Sequence, residues 1–321
     1  EGNHDVTDPY RPIQFKTLDN NCQVTPPFRM PARRWTIVTA ECIIWRSGDK
    51  HPGTLGQRRG AARGTSEMEE YDNLLISARP QLTRPAMVCG IGGWVDGGEA
   101  ATGSIRYLQR TLKAKEFAHI PLDRFHVFQV PGEISSRPHI KIEDGIIKMH
   151  RYPRNRFFYW ADPVADNDLI LFRGTEPNMH WEDYAEAILK VADEFDVSRL
   201  YLLGGVLDTT PHTREPNVSC AFSLPKLKEE MSGYGVRFSS YEGPGRFGTT
   251  LLYICQQRQI EMVSLTVRTT YYPEYSIVIP HNPKAIRALM RRLRKMLGLD
   301  FSISDLDGEA DTKATGGGKQ A

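Results

Sequence analysis

Cysteine is scarce in this sequence. The five present, Cys22, Cys42, Cys89, Cys220 and Cys255, are widely spaced and odd in number, and none forms a CxxC or Cys/His ligand pattern. That excludes a disulfide-stapled scaffold and a structural zinc site. Free thiols in a reducing cytoplasm fit better, and no metal or cofactor is expected. Long apolar runs are also missing. The nearest, "WTIVTAECIIW" (Trp35–Trp45), falls short of the ~20 residues of a membrane-spanning helix. No basic-then-apolar leader opens the chain, so a cytoplasmic protein is expected. Charge of one sign is lacking too. A net charge of +2 demands neither a nucleic acid nor an acidic partner. Finally, no GxSxG nucleophile elbow occurs and no cysteine sits beside a histidine in a recognisable pattern, which argues against a hydrolase.

What the sequence does have is the balance of a globular protein, 40% hydrophobic and 25% charged residues over 321 positions. Residues Glu1–Glu67 stand apart. They are rich in Arg and Pro ("RMPARRW", "GQRRGAARGTS") and show little periodicity. They read as a disordered extension or as sequence outside the working protein, with a small added strand around Trp35–Trp45 as the alternative. A domain begins at Met68 and runs to Ile303. The remainder, 304–321, turns acidic and Gly-rich and is expected to stay disordered.

Inside the domain, strand-like and helix-like segments alternate. Ala86–Ile91 is a short buried-strand run, and Gly97–Thr111 follows as a helix. Phe125–Val130 alternates like a strand. "HIKIEDGIIKMH" (His139–His150) places Asp144-Gly145 between two β-rich arms, a hairpin signal. "DLILFRG" (Asp168–Gly174) and "RLYLLGG" (Arg199–Gly205) bracket a helix whose Trp181, Tyr184, Ala185, Ile188, Leu189 and Ala192 share one face. That is a βαβ unit with parallel strands. "GVRFSSY", "GTTLLYICQQRQ" and "EMVSLTV" repeat the alternation, and Pro283–Leu297 closes it as a helix. An α/β fold, a three-layer α/β/α sandwich with a β-hairpin insertion, accommodates this order.

Ligands of such sheets bind beyond the C-terminal strand ends. Five loops are expected there: Gly92–Glu99, Arg173–Trp181, Gly204–Glu215, Tyr241–Gly248 and Arg268–Tyr275. "GIGGWVDGGEA" matches neither GxxxxGK[ST] nor a clean GxGxxG, and Asp96 and Glu99 would repel a phosphate, so Asp96 reads as a helix N-cap. In "TTPHTRE", His212 suits a general base and Arg214 an anion partner, although a hydrogen-bonded loop accounts for the same residues. Glu176 with His180 resembles a fragment of an acid–base or metal site, yet a first-turn helix position also explains Glu176. The basic run of Arg287, Arg291, Arg292, Arg294 and Lys295 reads as the solvated face of a helix. Trp94 and Trp160 read as core or oligomer contacts.

"GIGGWVDGGEAATGSIRYL", "LFRGTEPNMHWEDYAEAIL", "LYLLGGVLDTTPHTREPNVS", "YEGPGRFGTTLLYICQQRQIEMVSLTV" and "NPKAIRALMRRLRKMLGLDFSISDLD" occur here in one order over roughly Met68–Asp307. In that order they resemble the proteasome assembly chaperone 2 family. The resemblance implies a phosphorylase-like α/β/α fold, a homo-oligomer and a protein-binding or assembly role. Some relatives dock on proteasome α subunits through a hydrophobic–Tyr–X ending. The sequence here ends "GGGKQA", so docking by that route is not expected. Some bacterial relatives carry a label as possible ATP-grasp-type carboxylate–amine ligases. The alternative is therefore a ligase, or a small-molecule enzyme or sensor, using Asp96, Glu176, His212, Arg214 and Arg246. There His212 would handle a proton, the two arginines would hold an anion, and Asp96 or Glu176 would orient a partner or metal.

Overall fold

In a computed structural model, residues 69–71, 73–129, 137–162, 167–272, 277–278 and 281–306 are described. The expectations for residues 1–67 and 307–321 lie outside these. In chain order the strands are β1 (Glu69–Tyr71), β2 (Leu74–Ile76), β3 (Ala86–Gly92), β4 (Lys115–Ile120), β5 (His139–Glu143), β6 (Ile146–Arg151), β7 (Asn155–Trp160), β8 (Leu169–Thr175), β9 (Arg199–Asp208), β10 (Val218–Phe222), β11 (Arg237–Phe238), β12 (Met262–Tyr272) and β13 (Ile277–Val278). The helices are α1 (Ala100–Thr111), α2 (Trp181–Glu194), α3 (Leu227–Ser232), α4 (Phe247–Gln257) and α5 (Pro283–Leu297).

The sheet runs β1-β2-β4-β7-β8-β3-β9-β12-β10-β11, with β13 on β12. Its centre, β8-β3-β9-β12, is parallel, and antiparallel strands extend both flanks. Each central strand is apolar on both faces, as a sheet covered on two sides requires. Val88, Leu171, Leu203 and Leu265 face the layer of α1 and α5, whereas Met87, Phe172, Leu202 and Met262 face α2 and α4. This is an α/β fold with three layers.

Three local readings change. Phe125–Gln129 form no strand. Phe125 and His126 are both buried side by side, and the Phe125 carbonyl accepts from Asn178 N at 2.8 Å while the Asn178 side chain accepts from Val127 N at 2.8 Å. The segment's hydrogen bonds go to the loop before α2 rather than to a strand. "GVRFSSY" pairs only over Arg237–Phe238, at the sheet edge. Beyond Ile303 the chain still packs on the domain. Leu306 is buried, and Asp305 accepts from the Tyr107 hydroxyl at 2.6 Å.

The basic run on α5 is engaged by the fold. Arg287 and Arg291 pair with Glu215, Arg292 donates to the Gly235 carbonyl, and Arg294 donates to that of Phe301. The hairpin β5–β6 forms as its sequence indicates, with Asp144 and Gly145 both at positive φ (51° and 75°), the turn that matches strand twist. Among the described residues it pairs with nothing else and forms a separate two-stranded sheet.

The half-buried Asp96 and the buried His126 oppose each other in pH dependence. Burial pushes the Asp96 carboxyl up from 3.8 to about 6, against hydrogen bonds that favour its charge. Asp96 therefore contributes stability that is present below pH 4 and is lost as pH rises to 6. Burial pulls His126 down from 6.5 to about 4. His126 contributes stability that is present above pH 6.5 and is lost as pH falls to 4. Each swing is on the order of 2–3 kcal/mol, so the two contributions largely cancel between pH 4 and 6. Asp96→Asn is expected to unmask a rise in stability with pH, and His126→Gln a fall. A flat profile in both variants would contradict these assignments.

Candidate functional site

The ends of the four parallel strands gather polar residues as the sequence indicates, but the residues are bound to one another. The Asp96 carboxylate sits at the start of α1. It accepts from Ala101 N (2.7 Å), Thr102 N (3.1 Å) and the Thr102 hydroxyl (2.6 Å). An anion bound by this helix would need the same amides. The loop then lies directly on β9, with Gly205 N donating to the Val95 carbonyl at 3.0 Å. A Cβ on Gly205 would meet the Gly97 carbonyl oxygen at 2.5 Å, so only glycine permits this approach. The stretch turns a strand into a helix and fills its own anion site.

Glu176, just past β8, bridges three loops. Its Oε1 accepts from Phe247 N at 2.8 Å, at the first turn of α4, and its Oε2 accepts from Trp94 N at 3.2 Å. A carboxylate from a distant loop thus occupies the positive end of α4. Arg246 lies beside it, half-buried, donating to Ser264 Oγ (3.3 Å) and Thr266 Oγ1 (3.2 Å). Burial works against the Arg246 charge and the Glu176 carboxylate supports it. The void that Glu176 and Arg246 line, with Val95 and Leu203, is only about 10 Å³. That is at the lower limit for a single water.

Arg246 reaches this place by a route the sequence does not reveal. β11 runs antiparallel to the central strands, so Tyr241–Gly248 does not leave their C-terminal ends. It crosses from the sheet edge to the α2–α4 face and arrives at the strand ends only at Arg246. His212 and Arg214 stand elsewhere. Both are exposed in the β9–β10 connection, where the His212 carbonyl accepts from Lys284 Nζ at 2.7 Å and Glu215 pairs with α5. The five residues proposed as one pocket therefore separate. Asp96, Glu176 and Arg246 tie the strand-end loops together, while His212 and Arg214 stand exposed in a connection held to α5 through the His212 carbonyl and Glu215. Among the described residues, no group of three or more His, Cys, Asp or Glu could hold a metal ion.

What sequence reasoning missed is apolar. Trp94, which is no core residue, is exposed together with Met179 and Tyr241 on the loops just described, and Leu207 is exposed near the end of β9. The hairpin exposes Ile140, Ile142, Ile146 and Ile147 to between 48% and 62%. The alternation "HIKIE" is legible as a strand, but nothing in it says that no layer among the described residues covers the isoleucines.

The profile of the PAC2 family matches residues 90–315. The chain belongs to the PAC2 family. A PAC2 family protein from Streptomyces avermitilis is 30% identical, with a TM-score of 0.64 over 74% of this chain and 96% of that one. A proteasome-assembly chaperone homologue from Mycobacterium tuberculosis is 28% identical, with a TM-score of 0.63 over 74% of this chain and 97% of that one. An archaeal proteasome activator from Pyrococcus furiosus is 21% identical with a TM-score of 0.59 over 75% of this chain and 95% of that one, and shares the fold. No curated protein matches. The PAC2 match covers every loop of the strand-end cluster, and no helix among the described residues is long and apolar enough to cross a membrane.

Proposed function

We propose that this PAC2 family member is a chaperone-like assembly factor that works as a homo-oligomer in the cytoplasm by holding protein surfaces. The observation that carries this reading is the β5–β6 hairpin. A two-stranded hairpin is marginal in water by itself, and this one stands off the main sheet with four isoleucines exposed. Such a surface gains stability only when something apolar covers it. The names of the Mycobacterium and Pyrococcus relatives support a proteasome-linked assembly role. The buried free thiols of Cys89, Cys220 and Cys255 are compatible with a reducing compartment. The ligase alternative draws no support from Glu176 and Arg246, whose polar atoms are engaged in joining loops.

Hydrogen exchange tests the reading. If copies cover one another's hairpins, amide protection over His139–Arg151 should rise at least tenfold between sub-micromolar and high-micromolar protein, while protection of β3 and β9 stays constant. Equal hairpin protection at both concentrations, with the protein monomeric throughout, would contradict it.

A further inference from the structure

On the face of the sheet that carries α1, one row of residues crosses three strands: His119 on β4, Arg156 on β7 and Arg173 on β8. The two arginines are directly opposed. Like charges in such a pair are unfavourable, so the row needs negative charge from elsewhere. Glu116 supplies it for Arg156, at 2.7 Å, yet Arg156 Nε is still buried without a hydrogen-bond partner. Arg173 has less. Its guanidinium is half-buried, 3.5 Å from Gln109 Oε1 and 5.8 Å from the Phe158 ring centre, and among the described residues no carboxylate pairs with it. Desolvation and then the neighbouring Arg156 and Arg106 destabilise its charge, and Glu116 offsets them only in part.

Arg173 forms the floor of a cleft of about 390 Å³, within the range of small-molecule sites. Arg106 and Arg110 stand on the α1 wall and His281 completes the rim. The carboxylates here are already engaged: Glu99 with Arg106 and His281, and Asp305 with Arg110 at 3.5 Å. Arg106 and Arg110 lie at solvent-exposed positions, where ion pairs are weak, so an occupant can compete with Glu99 and Asp305 for them. Three guanidinium forks around one cleft, with the deepest unneutralised, match the geometry of phosphate or carboxylate oxygens.

We propose that this cleft binds a small multivalent oxyanion, a phosphate ester or a di- or tricarboxylate, gripped by Arg173 at its floor and by Arg106 and Arg110 at its wall. The site lies on the opposite face of the sheet from Glu176 and Arg246, and it would give an assembly factor a small-ligand input. Its existence does not depend on the assembly role.

Thermal unfolding of the full chain tests it, with pyrophosphate and citrate as probes and sodium chloride at matched ionic strength as the control. Wild type is expected to gain about 3 °C or more at saturation over the chloride control. Arg173→Met should abolish that gain. Without any anion its midpoint should equal or exceed that of wild type, because an opposed charge has been removed. Arg106→Gln, at an exposed position, is expected to fold normally and to bind the better probe about tenfold more weakly. A stronger response to pyrophosphate assigns phosphorylated ligands, and a stronger response to citrate assigns carboxylates. No response beyond chloride, an equal response in Arg173→Met, or unchanged affinity in Arg106→Gln would each overturn the proposal.

Discussion

Replacing Glu176 by alanine is expected to lower the unfolding free energy by about 3 kcal/mol. The carboxylate accepts from the backbone of two other loops, at Phe247 and Trp94, and it supplies negative charge to the half-buried, partly desolvated Arg246. Its removal leaves the first turn of α4 unsatisfied and a desolvated guanidinium uncompensated. The cost should therefore be shared with Arg246. In a double-mutant cycle, Glu176→Ala combined with Arg246→Met should cost less than the sum of the single changes, by at least about 1 kcal/mol. Urea denaturation of the four proteins measures this. Additive costs would mean that the two groups stand independently, and would reopen Glu176 as a residue held for chemistry.

A second large effect is expected at Gly90, in the middle of β3. A Cβ there would lie 2.5 Å from both the Ala101 carbonyl oxygen and Ile105 Cγ1. The first is helix backbone, so relief requires α1 to move bodily away from the sheet. Overpacking of this kind costs about 1–3 kcal/mol where side chains can yield, and here the obstacle is a helix. Gly90→Ala should fall at or beyond the upper end, and Gly90→Val should fail to fold. The displacement would also shift Asp96, whose hydrogen bonds depend on the position of α1, so the pH 4–6 behaviour attributed to Asp96 should weaken in Gly90→Ala. An alanine variant as stable as wild type would show that α1 sits further from β3 than described.

The parts of this fold that the sequence reveals are those whose physics is local. Ala86–Ile91, Asp168–Gly174 and Arg199–Gly205 are apolar on both faces because helices cover both faces. α2 and α5 show their buried stripes at helical spacing, and Asp144-Gly145 encodes its own turn. The strands β4 and β10 escape such reading because β4 pairs with β7 and β10 with β12, partners about 40 residues away. β7 lies between β4 and β8, and only that pairing brings Arg156 opposite Arg173. The candidate site divides for the same reason. Polar residues on successive strand-end loops look equivalent in sequence, yet strand direction decides their fate. Because β11 runs opposite to the central strands, Arg246 enters from the sheet edge and becomes half-buried against Glu176. His212 and Arg214 stay exposed in the β9–β10 connection, which meets α5 through the His212 carbonyl and Glu215. The apolar residues behave conversely. Ile142 and Ile147 read as ordinary hairpin arms, and only the absence of a covering layer among the described residues makes them surface.

The central claim is that the protein works through contact between protein surfaces, with the hairpin at the interface. Native mass spectrometry of wild type beside an Ile142→Lys, Ile147→Lys double variant tests it most directly. The substitutions lie on an exposed hairpin outside the main sheet, so the monomer fold should survive, with an unchanged circular dichroism spectrum. The account predicts a wild-type mass that is a multiple of the 36.4 kDa chain and a variant reduced to a smaller assembly or a monomer. A monomeric wild type, or a variant of unchanged mass, would contradict it.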